Sequence, residues 1–515
     1  MLCRFLFSWA AMSLIVCFVS PGLAATTVTG AFQHIVIDDG EALPVTTVRA
    51  ARDSYTDRPL TLNDLQALAN LLTEGCAQAG NLLCRADVPN QRLDGPSLTV
   101  DMSLGYVAEL QASPDLLRVA EHAFRHALEE RPLRTETFRR AVAYAEDIPG
   151  LSLTAVRPER IGETDAYRLI IEGSYDRVVA TALVTNRGSR RDNPINAFVG
   201  GDVRSVFLPG DNLSVGYLTR PQSIEELFYI TSTYSLPATG RGLRPFARFV
   251  FTDTSPRSEF GGRDLDGNTL RAAVGVNVPL RRRSQLKLDG DVTVRVLRSE
   301  EKEDGLTLFQ DRLTVVEGAL RLERLWGGRS RLRSDVRLTA GLDVGDAGGG
   351  SRPDGEAGFF KISARAAGEA GLPLSLVMRG GVDLQWADRP LLFTEEFSFG
   401  GGAFGRAYDF GEVLGEQGAA AFVELARPVR LEKYKLRLDP YLYVDAGLTD
   451  NIDQDFRADG RTLWSAGGGL RVDIHDALSV SYEAAMPLSD APYTEDDEDL
   501  RHRFDVQLDL TALKP

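Results

Sequence analysis

Residues 400–418 read GGGAFGRAYDFGEVLGEQG, a glycine-rich stretch in which Arg406 is the single basic residue. An arginine fork can hold a carboxylate through two charge-assisted hydrogen bonds. Glycines let such a loop pass close to other backbone. Further on, Tyr441-Leu442-Tyr443-Val444-Asp445-Ala446-Gly447 is a strand-like run that carries an acid near its end. A phosphate cradle would use glycines differently, but no Gly-Lys-Ser/Thr follows them. His122 and His126 are four apart on a predicted helix, a spacing that can hold zinc. No third ligand stands near them, and a solvated or packed helix face accounts for both. Cys76 and Cys84 read either as a structural disulfide or as a free pair. The acidic run Glu495–Asp499 reads as a solvated loop. The sequence has no Gly-x-Ser-x-Gly elbow, P-loop or dinucleotide fingerprint, so neither an enzyme, a cofactor nor a metal is expected.

The elements that must position these residues come from a chain of 515 residues with a formal charge of −15. That length asks for more than one domain. At 43% hydrophobic and 25% charged residues the chain is neither disordered nor a polytopic helical membrane protein. The acidic balance speaks against nucleic acid as a partner. Residues 1–25 join Arg4, an apolar core from Phe5 to Val19, and Gly22-Leu23-Ala24-Ala25, the three parts of a secretory signal peptide. Export places Cys76 and Cys84 in an oxidising compartment.

Residues 26–175 read as a repeated supersecondary pattern of order βααββ. In residues 26–104, Phe32–Ile37 is a strand, Thr46–Tyr55 a short helix, and Leu62, Leu65, Leu68, Leu71 and Leu72 recur at helical spacing behind Thr61, a good N-cap. Strands Leu82–Ala86 and Leu98–Met102 come next. In residues 105–175 the order is strand Gly105–Leu110, helix Asp115–Glu130, helix Thr135–Glu146, then strands Leu151–Val156 and Ala166–Glu172.

From 176 to 515 the period changes to two. From Leu286 to Val296 every apolar residue is even-numbered and the polar ones odd. Leu332, Val336 and Leu338 alternate with Arg333, Asp335 and Arg337; Tyr434, Leu436 and Leu438 with Lys435, Arg437 and Asp439; Phe504, Val506, Leu508 and Leu510 with Asp505, Gln507 and Asp509. A soluble sandwich also alternates. Segments of about ten residues, sustained over this length behind an export signal, point to an antiparallel transmembrane barrel of about 16 strands. Leu236–Gly240 reads as a tight periplasmic turn, and Asp253–Asn268 and Asp346–Gly355 as long external loops.

A family resemblance runs through most of these segments. Arg58-Pro59-Leu60-Thr61, Leu65–Leu72, Ala79-Gly80, Pro89-Asn90-Gln91-Arg92-Leu93 and Asp94-Gly95-Pro96-Ser97-Leu98 resemble the first polypeptide-transport-associated (POTRA) domain of two-partner secretion transporters, the haemolysin secretion/activation family. Arg131-Pro132-Leu133 and Asp147-Ile148-Pro149-Gly150-Leu151 resemble the second, and Asn186-Arg187-Gly188-Ser189 the start of the membrane domain. Gly405-Arg406-Ala407-Tyr408 resembles the loop motif of that superfamily, and Tyr443, Asp445 and Gly447 its strand motif. The resemblance implies a lumen-inserting loop near 395–420 whose Arg406 pairs with Asp445 on the wall. It implies an outer-membrane translocator of a diderm bacterium, with POTRA domains in the periplasm. Its partners would be an unfolded, extended secreted protein, outer-membrane lipid, and the secretion and barrel-assembly machineries, without nucleic acid or nucleotide. An insertase of the same superfamily and a passive porin are the alternatives. This chain departs from the family at Ala407, where glycine is usual, at Asn81, and at its end, Leu513-Lys514-Pro515. Its first strand follows the leader within about seven residues, without an N-terminal pore helix.

Overall fold

The computed structural model describes residues 27–512 except 93–94, 189–193, 240–241, 256–264, 284, 329, 345–346, 453–460 and 490–499. The leader expected at 1–25, the acidic run at 495–499 and the end at 513–515 lie outside the described residues. The chain forms two compact units, one up to Asp176 and one from Arg177.

The first unit contains two hydrophobic cores. In one, strand His34–Asp38 pairs in parallel with Ser97–Leu104, which pairs antiparallel with Cys84–Asp87. Helices α1 (Val45–Tyr55) and α2 (Leu62–Gln78) complete it. Leu65, Leu68 and Leu72 bury the apolar stripe of α2 in the same core as Leu98, Val100 and Met102. The start of α2 is a reciprocal cap: Asp64 N donates to Thr61 Oγ1 at 3.2 Å, and Thr61 N to Asp64 Oδ2 at 2.8 Å. The Arg58 guanidinium, 2.8 Å from Asp64, and the Thr61 donors hold that carboxyl well below the usual carboxylate range. Gln91 stitches its own loop to Thr99 through both backbone groups, at 2.7 and 2.8 Å, and its amide lies 3.5 Å from the Pro89 carbonyl. A ribbon of Thr27–Ala31 with Pro59–Thr61 adds a strand pair that periodicity does not suggest, each strand being only five or three residues long.

In the second core Tyr106–Gln111 pairs in parallel with Ala166–Tyr175, which pairs antiparallel with Leu151–Arg160. Helices α3 (Pro114–Glu129) and α4 (Thr135–Glu146) supply Leu116, Val119, Phe124 and Ala145 to a core shared with Leu169 and Ile171. Pro114 stands in the first turn of α3, where its missing N–H costs nothing. Beyond α4, Pro149 leads into Gly150 (φ 81°), whose carbonyl accepts from Asp176 N at 3.0 Å. His122 lies 3.0 Å from the Tyr144 hydroxyl, and His126 faces Glu129 at 3.5 Å. Among the described residues no group of His, Cys, Asp and Glu is placed to hold a metal.

The second unit is a closed antiparallel barrel. Its strands are Val178–Thr185, Asn196–Arg204, Asn212–Thr219, Leu227–Ser235, Arg244–Thr254, Leu265–Arg283, Leu286–Glu303, Leu306–Trp326, Ser330–Leu342, Phe360–Gly371, Val377–Ala387, Gln417–Ala426, Leu436–Asp450, Arg461–Ile474, Leu478–Pro487 and Arg501–Asp509. Val429–Leu431 continues Gln417–Ala426 along the same neighbour, so the count is sixteen. The last strand closes on the first from Asp505–Thr185 to Asp509–Thr181. The alternation sorts by face: Val292, Val294, Val296, Val336, Leu338 and Val444 are exposed on the outside, and their odd-numbered or polar neighbours turn inward. No described helix is long and apolar enough to cross a membrane. The strands do so instead, with an apolar outer band and every strand paired on both sides, which is what hydrocarbon requires of a backbone.

Connections on the rim that carries both barrel ends are short, including 236–243, and those on the opposite rim are longer apart from 220–226 and the turn at 304–305. Two loop expectations change. Strands reach Thr254 and resume at Leu265, so the connection expected over 253–268 shrinks to 255–264. Leu265–Arg283, Leu286–Glu303 and Leu306–Trp326 have 19, 18 and 21 residues, about twice a membrane span. The 343–359 connection is not a free loop. Its Ala357 and Phe359, with Leu391 and Leu392, bury against inward-facing Leu297, Leu313 and Val315 of the long strands. Apolar residues on the inner face have no lipid to meet and need a cover.

Cys76 and Cys84 form a disulfide, with Cα atoms 6.1 Å apart, that ties the end of α2 to an edge strand. Closing a loop of this length is worth about 2–3 kcal/mol in the chain-entropy account. We expect Cys76→Ser/Cys84→Ser to raise protease cleavage of the first unit under mild denaturation and to leave the heat-modifiable migration of the barrel unchanged; equal protease resistance would show that the bridge contributes nothing to stability.

Candidate functional site in the barrel lumen

The longest described connection, 388–416, runs back into the barrel. Phe397–Phe399 and Val413–Gly415 pair as a two-stranded hairpin, with the glycine-rich tip between them. Phe397, Phe399, Tyr408 and Val413 form a buried cluster with Ala420 and Leu463 of the wall. Two glycines make this fit. Gly447 leaves the space that the Phe399 ring fills, and a Cβ there would collide with it. Gly405 has φ 71° and lies against the same ring, so side-chain bulk and backbone hand both exclude other residues. The left-handed conformation thus falls on Gly405, and Ala407 is fully buried beside Ala426 and Ala485.

Arg406 is buried at the centre of the tip. The implied side-chain pair with Asp445 does not form. The Arg406 backbone N donates to Asp445 Oδ2 at 3.1 Å, while Nη1 donates to Glu424 at 3.0 Å and to Glu483 at 3.2 Å. Its guanidinium carbon sits 4.3 Å from the Tyr443 ring centre and 5.0 Å from that of Phe422. The reason is reach. The tip backbone lies against the strand of Asp445, so a long side chain must extend past it to Glu424 on the adjacent strand and to Glu483 two strands away on the other side. Asp445 is completed by the Ser465 hydroxyl.

Around Arg406 the charges interlock. Glu424 accepts from Arg471 at 2.7 and 2.8 Å and from Arg379 at 2.8 Å. Arg379 also reaches Asp439 at 2.7 Å. Glu483 accepts from the Tyr441 hydroxyl at 2.8 Å and from Arg187 at 3.2 Å, and Arg187 forks onto Asp505. Arg471 stacks 3.8 Å over Tyr441. Tyr408 donates its hydroxyl to the Trp464 carbonyl at 2.6 Å, and its own carbonyl accepts from Arg503 at 3.2 Å. Arg501 holds Asp409 at 2.6 Å. A second cluster ties the connections together: buried Arg352 contacts Glu396 at 3.1 Å and also Glu416.

Of the residues singled out in the sequence, Arg406, Tyr408, Tyr443, Asp445 and Gly447 are brought together here. Pro89, Gln91, Pro149, Gly150, Cys76 and Cys84 lie in the first unit. Sequence reasoning missed Glu424, Glu483, Arg379 and Arg471. A signal existed for Glu424: it is the single acid among inward-facing Gly418, Ala420, Phe422 and Ala426.

Removing one partner of a buried, hydrogen-bonded ion pair costs about 3–5 kcal/mol. Glu424→Gln leaves three guanidinium groups without their shared anion, and Gly447→Leu evicts Phe399. Either variant is expected to loosen the loop and raise the open fraction in planar-bilayer recordings several-fold; wild-type recordings from both would remove this contact set from holding the loop.

A model of the haemolysin secretion/activation protein family ShlB/FhaC/HecB matches residues 212–472, just over half of the chain. No curated protein sequence matches. Among solved structures, CdiB from Escherichia coli is similar with a TM-score of 0.68 at 17% identity, over 96% of this chain and 93% of that one. CdiB from Acinetobacter baumannii gives 0.61 at 15%, over 93% and 90%. BamA from Haemophilus ducreyi lacking POTRA domains 1–3 gives 0.56 at 12%, over 94% and 100%. At these identities the likeness is one of fold.

Proposed function

Because the chain belongs to the ShlB/FhaC/HecB haemolysin secretion/activation family, an outer-membrane β-barrel family of two-partner secretion, we propose that it recognises an unfolded periplasmic partner through its first unit and passes it through the barrel lumen. The observation that carries this reading is the 388–416 connection, held inside the barrel by the ion pairs of Arg406 together with a small apolar cluster around Phe399. The ion pairs give the connection a discrete seated arrangement that an entering chain can displace and that can re-form after it has passed.

The two modules of the first unit act as POTRA domains in the periplasm. Each three-stranded sheet has two edge strands, His34–Asp38 and Cys84–Asp87 in one, Tyr106–Gln111 and Leu151–Arg160 in the other. An extended partner segment can add to such an edge through backbone hydrogen bonds, which read conformation before side chains. The cargo then enters the lumen as the loop shifts. Folding of the cargo outside supplies the direction.

Deleting the gene and comparing culture medium with outer membrane by quantitative proteomics tests the reading. One large secreted protein should vanish while other barrels hold their level; a joint fall of many barrels would instead identify an insertase. Arg406→Ala and Asp445→Ala should both reduce export several-fold with normal barrel insertion, and full export by both would take the motif out of the mechanism.

A further inference from the structure

The inner wall is not uniform around the barrel. On the strands from Gln417 to Pro487 the inward Glu424, Asp445, Ser465 and Ala485 are buried. Across the lumen, Ser330–Leu342 and Phe360–Gly371 present Arg333, Asp335, Arg337 and Arg365, a dense row of both signs. The sector of the first five strands, from Val178 to Thr254, differs from both.

Its register sets residues level with one another across four strand pairs. Thr181 lies opposite Gly200, Gly200 opposite Gly216, Gly216 opposite Thr231, and Thr231 opposite Val250. This level carries no charge and no long side chain. Phe198 lies flat on it: a Cβ on Gly200 or Gly216 would run into its ring. A cavity of about 570 Å³ stands against the same wall, lined by these residues and, on the neighbouring levels, by Asp202, Ser214, Tyr229, Thr233 and Arg248. Among the described residues, the contacts of the loop tip fall on strands from Gln417 onward and on Arg187.

Resting on the transporter reading, we propose that the extended partner segment travels along the inner face of the first five barrel strands, over the level of Thr181, Gly200, Gly216 and Thr231, and not along the arginine-rich wall opposite. A conduit must bind its cargo well enough to admit it and weakly enough to release it at each step. Fixed arginine and carboxylate side chains hold passing charges and arrest a chain of varied sequence. Glycines and threonine hydroxyls offer room and short hydrogen bonds to a passing backbone. Phe198, seated on the glycines, gives apolar side chains a surface to slide over.

The test places a photo-crosslinking amino acid at Thr181 or Thr231, and for comparison at Ser363 on the opposite wall, in cells that export the partner found by the deletion experiment. That partner carries a fast-folding domain that stalls it in transit. Adducts at Thr181 and Thr231 with none at Ser363 support the route. Adducts equal at all three, confined to Ser363, or absent while export proceeds overturn it. If the deletion strain loses no secreted protein, the transporter reading itself falls and takes the route with it. As a second measurement, Thr231→Trp should cut export several-fold with unchanged barrel level, and Ser363→Trp should not; the reverse pattern overturns the route.

Discussion

A sheet in hydrocarbon cannot leave a row of N–H and C=O groups unpaired, so the last strand, Arg501–Asp509, must find the first, Val178–Thr185. Once that pair is made, strand parity is settled around the whole ring. Every residue then belongs to the lipid face or to the lumen, and the lumen collects the charges. Much of the remaining structure manages that collection. Four arginines, Arg187, Arg379, Arg406 and Arg471, interlock with Glu424, Asp439, Glu483 and Asp505. The interior is neutralised by pairing, not by excluding charge.

The loop is part of that management. Its tip brings one cation to a wall already rich in carboxylates, and Glu424 is the point at which three arginines meet. Burial makes each partner depend on the others, because a charge left alone there loses its water without gaining a counter-ion. Glycine at Gly447 and Gly405 decides how near the tip can come, and that nearness decides that Asp445 meets the Arg406 backbone and not its guanidinium.

The barrel was legible in the sequence because lipid and lumen impose a strict period of two, seen in Leu286–Val296 and again in Phe504–Leu510. Helix α2 was legible for a similar reason: Thr61 and the leucine spacing both mark its start. The strand pair of Thr27–Ala31 with Pro59–Thr61 was not, since a three-residue strand has no period to read. The inward packing of 343–359 was also hidden, because it depends on Leu297, Leu313 and Val315, apolar residues at lumen positions in strands otherwise polar there. At the candidate site, residue identity was readable for Arg406 and Asp445 but pairing was not. Sequence spacing says which side chains share a strand, and the acids that Arg406 reaches stand on two other strands.

The closing pair joins residues from opposite ends of the barrel sequence, Thr181 with Asp509. Until that pair forms there is no lumen, only the concave face of an open sheet. The glycine-rich tip can therefore be laid onto strands Gln417–Ala426 and Leu436–Asp450 from the side, with no narrow mouth to thread. Arg501 and Arg503, on the sealing strand itself, then reach Asp409 and the Tyr408 carbonyl. The topology thus leaves room for the plug to be laid in place while the wall is still open, and the strand that shuts the wall is also the one that fastens it.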